Sequence, residues 1–178
     1  MEYRSTVDVL ELGGKKCIVK VLQFPNPFLS TATYEVRVFG EELKVLLDSM
    51  YETMLEEKGI ALSANQVGLL HKMFVMDGPD GRMNIVNPVI VNKSVKSANI
   101  KEGCLSAKGT FVLVPSRVEW IQVEYEDEKG GQYSAVLKGI HAVAFQHECD
   151  HLEGKSFMSD KSIPARVRKP LLKKWGLK

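Results

Sequence analysis

The sequence predicts an α+β fold in which antiparallel strands pack around one central helix. Three observations carry that expectation. Two stretches, "KMFVMDGPDGRMNIVNPVIVNK" and "RVEWIQVEYEDEKGGQYSAVLKG", read as strands on either side of a turn, "GPDG" and "EKGG", the second alternating with the period of a strand, which marks antiparallel hairpins. Two others, "GEELKVLLDSMYETMLEEKG" and "IHAVAFQHECDHLEG", space their apolar residues as helices do. No run rich in Gly, Ser or Pro divides the chain, so residues 1–178 are expected to form a single domain.

The first element, "VKVLQFPNPFLS", is an extended segment that stops at two prolines. A helix follows, with Val45, Leu46, Met50 and Met54 on its apolar face and Gly59 at its end. The two hairpins come next. The second then gives way to the helical stretch "IHAVAFQHECDHLEG", which Gly154 is placed to end. The last residues, 164–178, "PARVRKPLLKKWGLK", read as a short basic tail that Pro164 and Pro170 interrupt.

Composition narrows the function classes. An apolar fraction of 44% and a charged fraction of 26% are ordinary for a globular protein and exclude a disordered or fibrous chain. No apolar run approaches the roughly 20 residues of a membrane span, and "MEYRSTVDVLELGG" carries charges where a signal peptide would be apolar. A cytoplasmic protein with no membrane partner is expected. The cysteines, Cys17, Cys104 and Cys149, are odd in number and far apart, which suits reduced thiols or metal ligands better than disulfides. A net charge of +2 is too small to imply sequence-specific nucleic-acid binding.

The chemistry concentrates in "HECDH", His147 to His151. On a helix, residues four apart lie one turn apart on one face, so both imidazoles can reach one ion. Glu148 is turned about 100° away from His147, beside an ion without being a natural ligand, as a general base would be. Isolated HExxH matches also occur by chance on surface helices, so a further ligand decides the matter. A third histidine six residues beyond His151 is excluded because Phe157 stands there. Glu153 lies only two residues past His151 and points elsewhere, which leaves Asp160 as the one later carboxylate. Upstream, "KEGCLSAKG" presents Cys104 in a turn-like segment, and one cysteine with two histidines gives a tetrahedral site with an open position.

Three motifs, "GIALSANQ" from Gly59 to Gln66, "EGCLS" from Glu102 to Ser106 and "HECDH", together resemble those of peptide deformylases in order and spacing. The likeness runs from "VLQFPNPFLS" to Met158. It implies that Cys104, His147 and His151 bind Fe(II), with Zn, Ni or Co as replacements in preparations. It implies that Glu148 is the acid/base and that Gln66 and the Leu105 N–H bind the oxyanion. The implied reaction is hydrolysis, by metal-activated water, of the formyl group of formylmethionine on nascent proteins. Val143 and Ala144, one turn before His147, are expected to line the methionine slot with Ile60 nearby, and the Gly59, Ile60 and Ala61 backbone to pair with the peptide in strand fashion. Glu102 and Arg117 are expected to pair with each other and with the far nitrogen of a metal-binding histidine. The family usually has glycine where this chain has Ala61; a backbone that required positive φ there would strain the alanine, and its methyl group would crowd a substrate strand. Family members can dock on the ribosome through a basic C-terminal helix, which makes the tail a candidate ribosome contact. Cys17, His71, His141 and Cys149 are expected to be structural.

Overall fold

The computed structural model describes residues 18–177; the charged N-terminal stretch and Cys17 lie outside them. In chain order the elements are α1 (Glu41–Glu56), β1 (Ala61–Ser63), β2 (Met73–Gly78), β3 (Gly81–Lys93), β4 (Lys101–Gly103), β5 (Phe111–Leu113), β6 (Trp120–Glu126), β7 (Gln132–Lys138), α2 (Gly139–Leu152) and α3 (Ala165–Lys174). Five strands form one antiparallel sheet in the order β1-β2-β3-β6-β7, and β4 and β5 form a separate small hairpin. Both expected hairpins are present, β2–β3 closing at Gly78 and Gly81 and β6–β7 pairing from Trp120–Lys138 to Glu126–Gln132. The architecture is α+β, as expected.

The run "MFVM" explains how the layers stack. Alternate strand residues face opposite sides of a sheet, and here both sides are covered. Met73 and Val75 join a core with Leu47, Met50 and Met54 of α1, while Phe74 and Met76 join a second core with Ala142, Phe145 and Leu152 of α2. Phe74 meets Phe145 edge-on at 5.0 Å between ring centres. Residues 142–148 of α2 are all buried, which is why that helix shows little polar face in sequence.

Several expectations shift in detail. The buried stripe of α1 is Leu43, Leu47, Met50 and Met54, while Val45 and Leu46 are only half-buried at its margin. The helix ends at Glu56, and the left-handed residue that follows it is Lys58, with φ 57°, one position before the expected glycine. Gly59 is needed for a different reason: a Cβ there would come within 2.7 Å of Leu105 Cδ1. The first segment forms no strand. It is pinned by single bonds, Leu22 N–H to Gln66 O at 2.8 Å and Phe24 N–H to Ser106 O at 3.0 Å, before a 3₁₀ turn over Pro27–Ser30. The tail is not interrupted by its prolines. Pro164 precedes α3, and Pro170 sits inside it, where the side chains of Leu171, Leu172 and Trp175 pack onto a third core with Phe24, Leu29, Val112, Phe157 and Met158.

Candidate metal centre

Helix α2 brings His147 and His151 together, with their Nε2 atoms 3.1 Å apart. Cys104 follows β4, and its Sγ lies 3.1 Å from His151 Nε2; the three donor atoms all fall within 4.8 Å of one another. Both histidines are buried. Phe24 stacks on His151 and Phe157 tilts against His147, so the residue that replaces a third histidine walls the site instead of joining it. One sulfur and two imidazole nitrogens facing each other in a buried site are a donor set for a divalent ion, and three protein ligands leave a position open. Cys104, His147 and His151 therefore fit a metal.

Glu148 is buried and borders the cleft described below together with Cys104 and His147, and its Oε2 has no hydrogen-bond partner among the described residues. Burial raises its carboxyl to about 7, against the lowering influence of His147. Burial also opposes charge on both imidazoles. Contacts with Cys104 and Glu102 more than offset this for His147, which is raised, whereas burial and the neighbouring His147 hold His151 low.

Behind the donors runs a chain of ionic contacts. Arg117 grips Glu102 through Nε and Nη2 at 3.0 and 3.1 Å, and its Nη1 donates to Asp150 at 2.7 Å. Glu102 Oε2 in turn lies 3.4 Å from His147 Nδ1, within ion-pair reach but not aligned as a hydrogen bond. Burial works to raise Glu102, but His147 and Arg117 hold its carboxyl below the usual range. The expected pairing of Glu102 with Arg117 and a histidine's far nitrogen is thus what the geometry contains.

Gln66 sits in a 3₁₀ turn directly after β1. Its Oε1 accepts from the Ser63 N–H at 2.9 Å and from the Ser63 hydroxyl at 3.0 Å, which turns its Nε2 toward Ser106 Oγ at 3.1 Å and Cys104 Sγ at 3.5 Å. Leu105 opens the 3₁₀ turn over Leu105–Ala107, and such a turn leaves its first N–H without a partner inside it. Asn65 Nδ2 donates to the His151 carbonyl and ties this turn to the end of α2. Ser63, Asn65 and Ser106 were not singled out from sequence, although their place inside two of the motifs was the available signal.

A cleft of about 510 Å³ opens beside the donors, between the exposed edges of β1 and β4. Gly59, Ile60, Ala61, Val143, Ala144, Glu102, Cys104, Leu105, His147 and Glu148 all border it, so the expected substrate-binding residues do meet around one cavity. Ile140 and Phe111 add apolar surface that sequence did not indicate. Ala61 is not strained. It is a strand residue paired with Met76 and does not have positive φ, so the condition for a conformational penalty is not met. Cys149 is half-buried against the second core, with its thiol pushed up by burial.

A sequence profile of the polypeptide deformylase family matches residues 18–166. The chain belongs to that family. Peptide deformylase 1 of Bacillus subtilis is 40% identical over 144 residues, 80% of this chain and 89% of that protein. The peptide deformylase of Pseudomonas aeruginosa is 35% identical over 161 residues, 88% and 95% of the two chains. Among solved structures, the peptide deformylase of Thermus thermophilus superposes with a TM-score of 0.80 at 35% identity, covering 88% of this chain and 92% of that one. The peptide deformylase of Synechococcus elongatus in complex with actinonin gives a TM-score of 0.82 at 27% identity, covering 100% and 92%. Deformylases remove the N-formyl group from nascent peptides, and this chain is a hydrolase of that class. No helix among the described residues is long and apolar enough to cross a membrane.

Proposed function

We propose that this deformylase hydrolyses the formyl group of N-terminal formylmethionine with Cys104, His147 and His151 as metal ligands, Glu148 as the proton carrier, and Gln66 with the Leu105 N–H as oxyanion donors. One observation carries the assignment. A carboxylate without a partner on Oε2, raised to about 7, lies against the convergent thiol and imidazoles at the base of a cleft.

A bound ion supplies Lewis acidity, which lowers the pKa of water and polarises a carbonyl. The chain's own groups do the rest. Glu148 accepts a proton from the attacking water and returns it to the departing methionine amine, a task suited to a group titrating near neutrality. Gln66 arrives oriented, because Ser63 holds its carbonyl end and leaves the amide N–H₂ turned to the thiol side of the site. Each such fixed donor is worth about 2.7–4 kcal/mol toward a developing oxyanion. Glu102, clamped by Arg117, holds the far side of His147. Val143 and Ala144 form the methionine slot, and the β1 edge offers backbone groups to an extended peptide.

We assign Fe(II) as the working metal, with Zn, Ni or Co able to replace it, since a thiolate with two imidazoles accepts several divalent ions. The compartment is the cytosol. The exposed basic residues Arg166, Lys169, Lys173 and Lys174 of α3 are assigned to ribosome contact, supported by the packing of the helix's apolar side onto the third core. The test is formate release from a formyl-Met peptide by anaerobically prepared, iron-loaded protein. Turnover with formyl-Met and far slower reaction with acetyl-Met is the expected result. Equal rates for the two caps, or cleavage of internal peptide bonds, would overturn the assignment.

A further inference from the structure

The cleft's rim carries charge that the chemistry at its base does not use. Lys58, Lys101 and Lys108 border it, against a single rim carboxylate, Glu57. Lys108 and Glu57 answer each other at 2.5 Å. Lys58 and Lys101 are exposed and form no ion pair among the described residues. The two other acids bordering the cleft, Glu102 and Glu148, are buried beneath the rim, and Glu102 is matched by Arg117. The rim is therefore positive by two charges once its one ion pair is set aside.

Register says which part of a peptide meets these lysines. Lys101 lies three residues before the ligand Cys104 along β4, which is about 10 Å at a strand's rise. An extended peptide with its formyl group at Cys104 covers that distance with its second and third residues. Lys58 stands at the matching end of the opposite wall, two residues before Ile60 and the β1 edge. The alternation of β4 supports the placement: Glu102 points inward and is buried, while Lys101 is exposed at the mouth.

We infer that Lys58 and Lys101 make this enzyme favour N-formyl peptides with an acidic side chain at the second or third residue, counting the methionine as the first. The inference rests on the deformylase assignment and adds a selectivity to the same site. Exposed pairs are weak singly, so the two lysines together give a preference of about three- to tenfold at low ionic strength. Salt removes it, because the screening length falls to about 3 Å at 1 M.

The experiment compares kcat/KM of the metal-loaded protein for C-terminally amidated formyl-Met-Ala-Glu, formyl-Met-Ala-Gln and formyl-Met-Ala-Lys, and for the isomers with the variable residue second. The order Glu over Gln over Lys in at least one series at low salt, collapsing toward equality at about 1 M, is expected. In Lys58→Asn/Lys101→Gln the Glu-to-Gln ratio should fall to about one; asparagine is used at position 58 because it tolerates the left-handed backbone there. Equal rates for Glu, Gln and Lys peptides in both series, or a preference that survives high salt, overturn the inference while leaving the deformylase assignment standing. Failure to release formate from the neutral Gln peptides overturns both.

Discussion

Replacing Arg117 by Met is the most revealing single perturbation. The Arg117 and Glu102 side chains are each only 5% exposed, so the substitution strands a buried carboxylate next to His147. Breaking a buried pair from one side costs about 3–5 kcal/mol. Asp150 also loses its partner, but at 27% exposure water can replace much of that contact, and it adds little. In a chain of this size 1 kcal/mol corresponds to about 2–4 °C, so the melting temperature should fall by about 6–20 °C. The double variant Glu102→Gln/Arg117→Met removes the stranded charge and should regain much of the loss. Metal affinity should fall about 10- to 100-fold in the double variant, which no longer has a carboxylate behind His147 Nδ1. Urea denaturation of metal-stripped protein measures the first effect, and competition with a chelator the second. A stability loss below about 1 kcal/mol would refute the buried-pair argument, and unchanged metal affinity would refute the positioning role of Glu102.

Glu148→Gln should retain a full equivalent of metal, by elemental analysis, while kcat falls about 100-fold or more. Cys104→Ser should lose most of its metal under the same analysis, and a full equivalent would remove Cys104 from the ligand set. Gly59→Ala places a methyl 2.7 Å from Leu105 Cδ1, so Leu105 must move into the cleft, and KM for a formyl-Met peptide should rise several-fold with metal content unchanged. Asp48 is buried, and Lys44 and Arg82, each at 2.7 Å, hold its carboxyl below the usual range against the effect of burial. A depressed carboxyl contributes stability above its unfolded pKa of about 3.9 and loses it as pH falls through the lower folded value. Asp48→Asn should therefore be less stable than the parent at pH 7, and the gap should close below about pH 4 in denaturant titrations.

Much of this was legible in the sequence because it is repeated locally. The second hairpin announces itself by alternation over strands of seven residues, the first by its "GPDG" turn beside apolar runs, and α2 by the spacing of its histidines. Strands β1 and β4–β5 have three residues each, too few to show a period, and their existence is settled by contacts far along the chain. The buried face of α1 differs from the expected one because Val45 and Leu46 are apolar yet lie at the margin, and apolar residues are not confined to the interior. Residues 164–178 look broken in sequence because proline normally stops a helix, whereas Leu171, Leu172 and Trp175 gain enough packing to carry α3 past Pro170. In the site, the ligand set, Gln66 and Glu148 stand out as motifs. Ser63, Ser106 and Asn65 do not, since hydroxyls and amides that orient other groups have no spacing rule of their own.

The three donors do not share one core. Cys104 belongs to the β4–β5 hairpin, whose apolar side sits with Phe24, Leu29 and the C-terminal helix, while His147 and His151 ride on the helix that backs the five-stranded sheet. An ion coordinated by all three adds a rivet between two clusters that otherwise meet through Phe24 and Phe157 against the histidines and through the Glu102–Arg117–Asp150 contacts. Its binding free energy is then folding free energy as well. Heating curves of different preparations will track how many molecules carry an ion at least as closely as they track any surface substitution, and stripping the ion should loosen the hairpin before it unfolds the sheet.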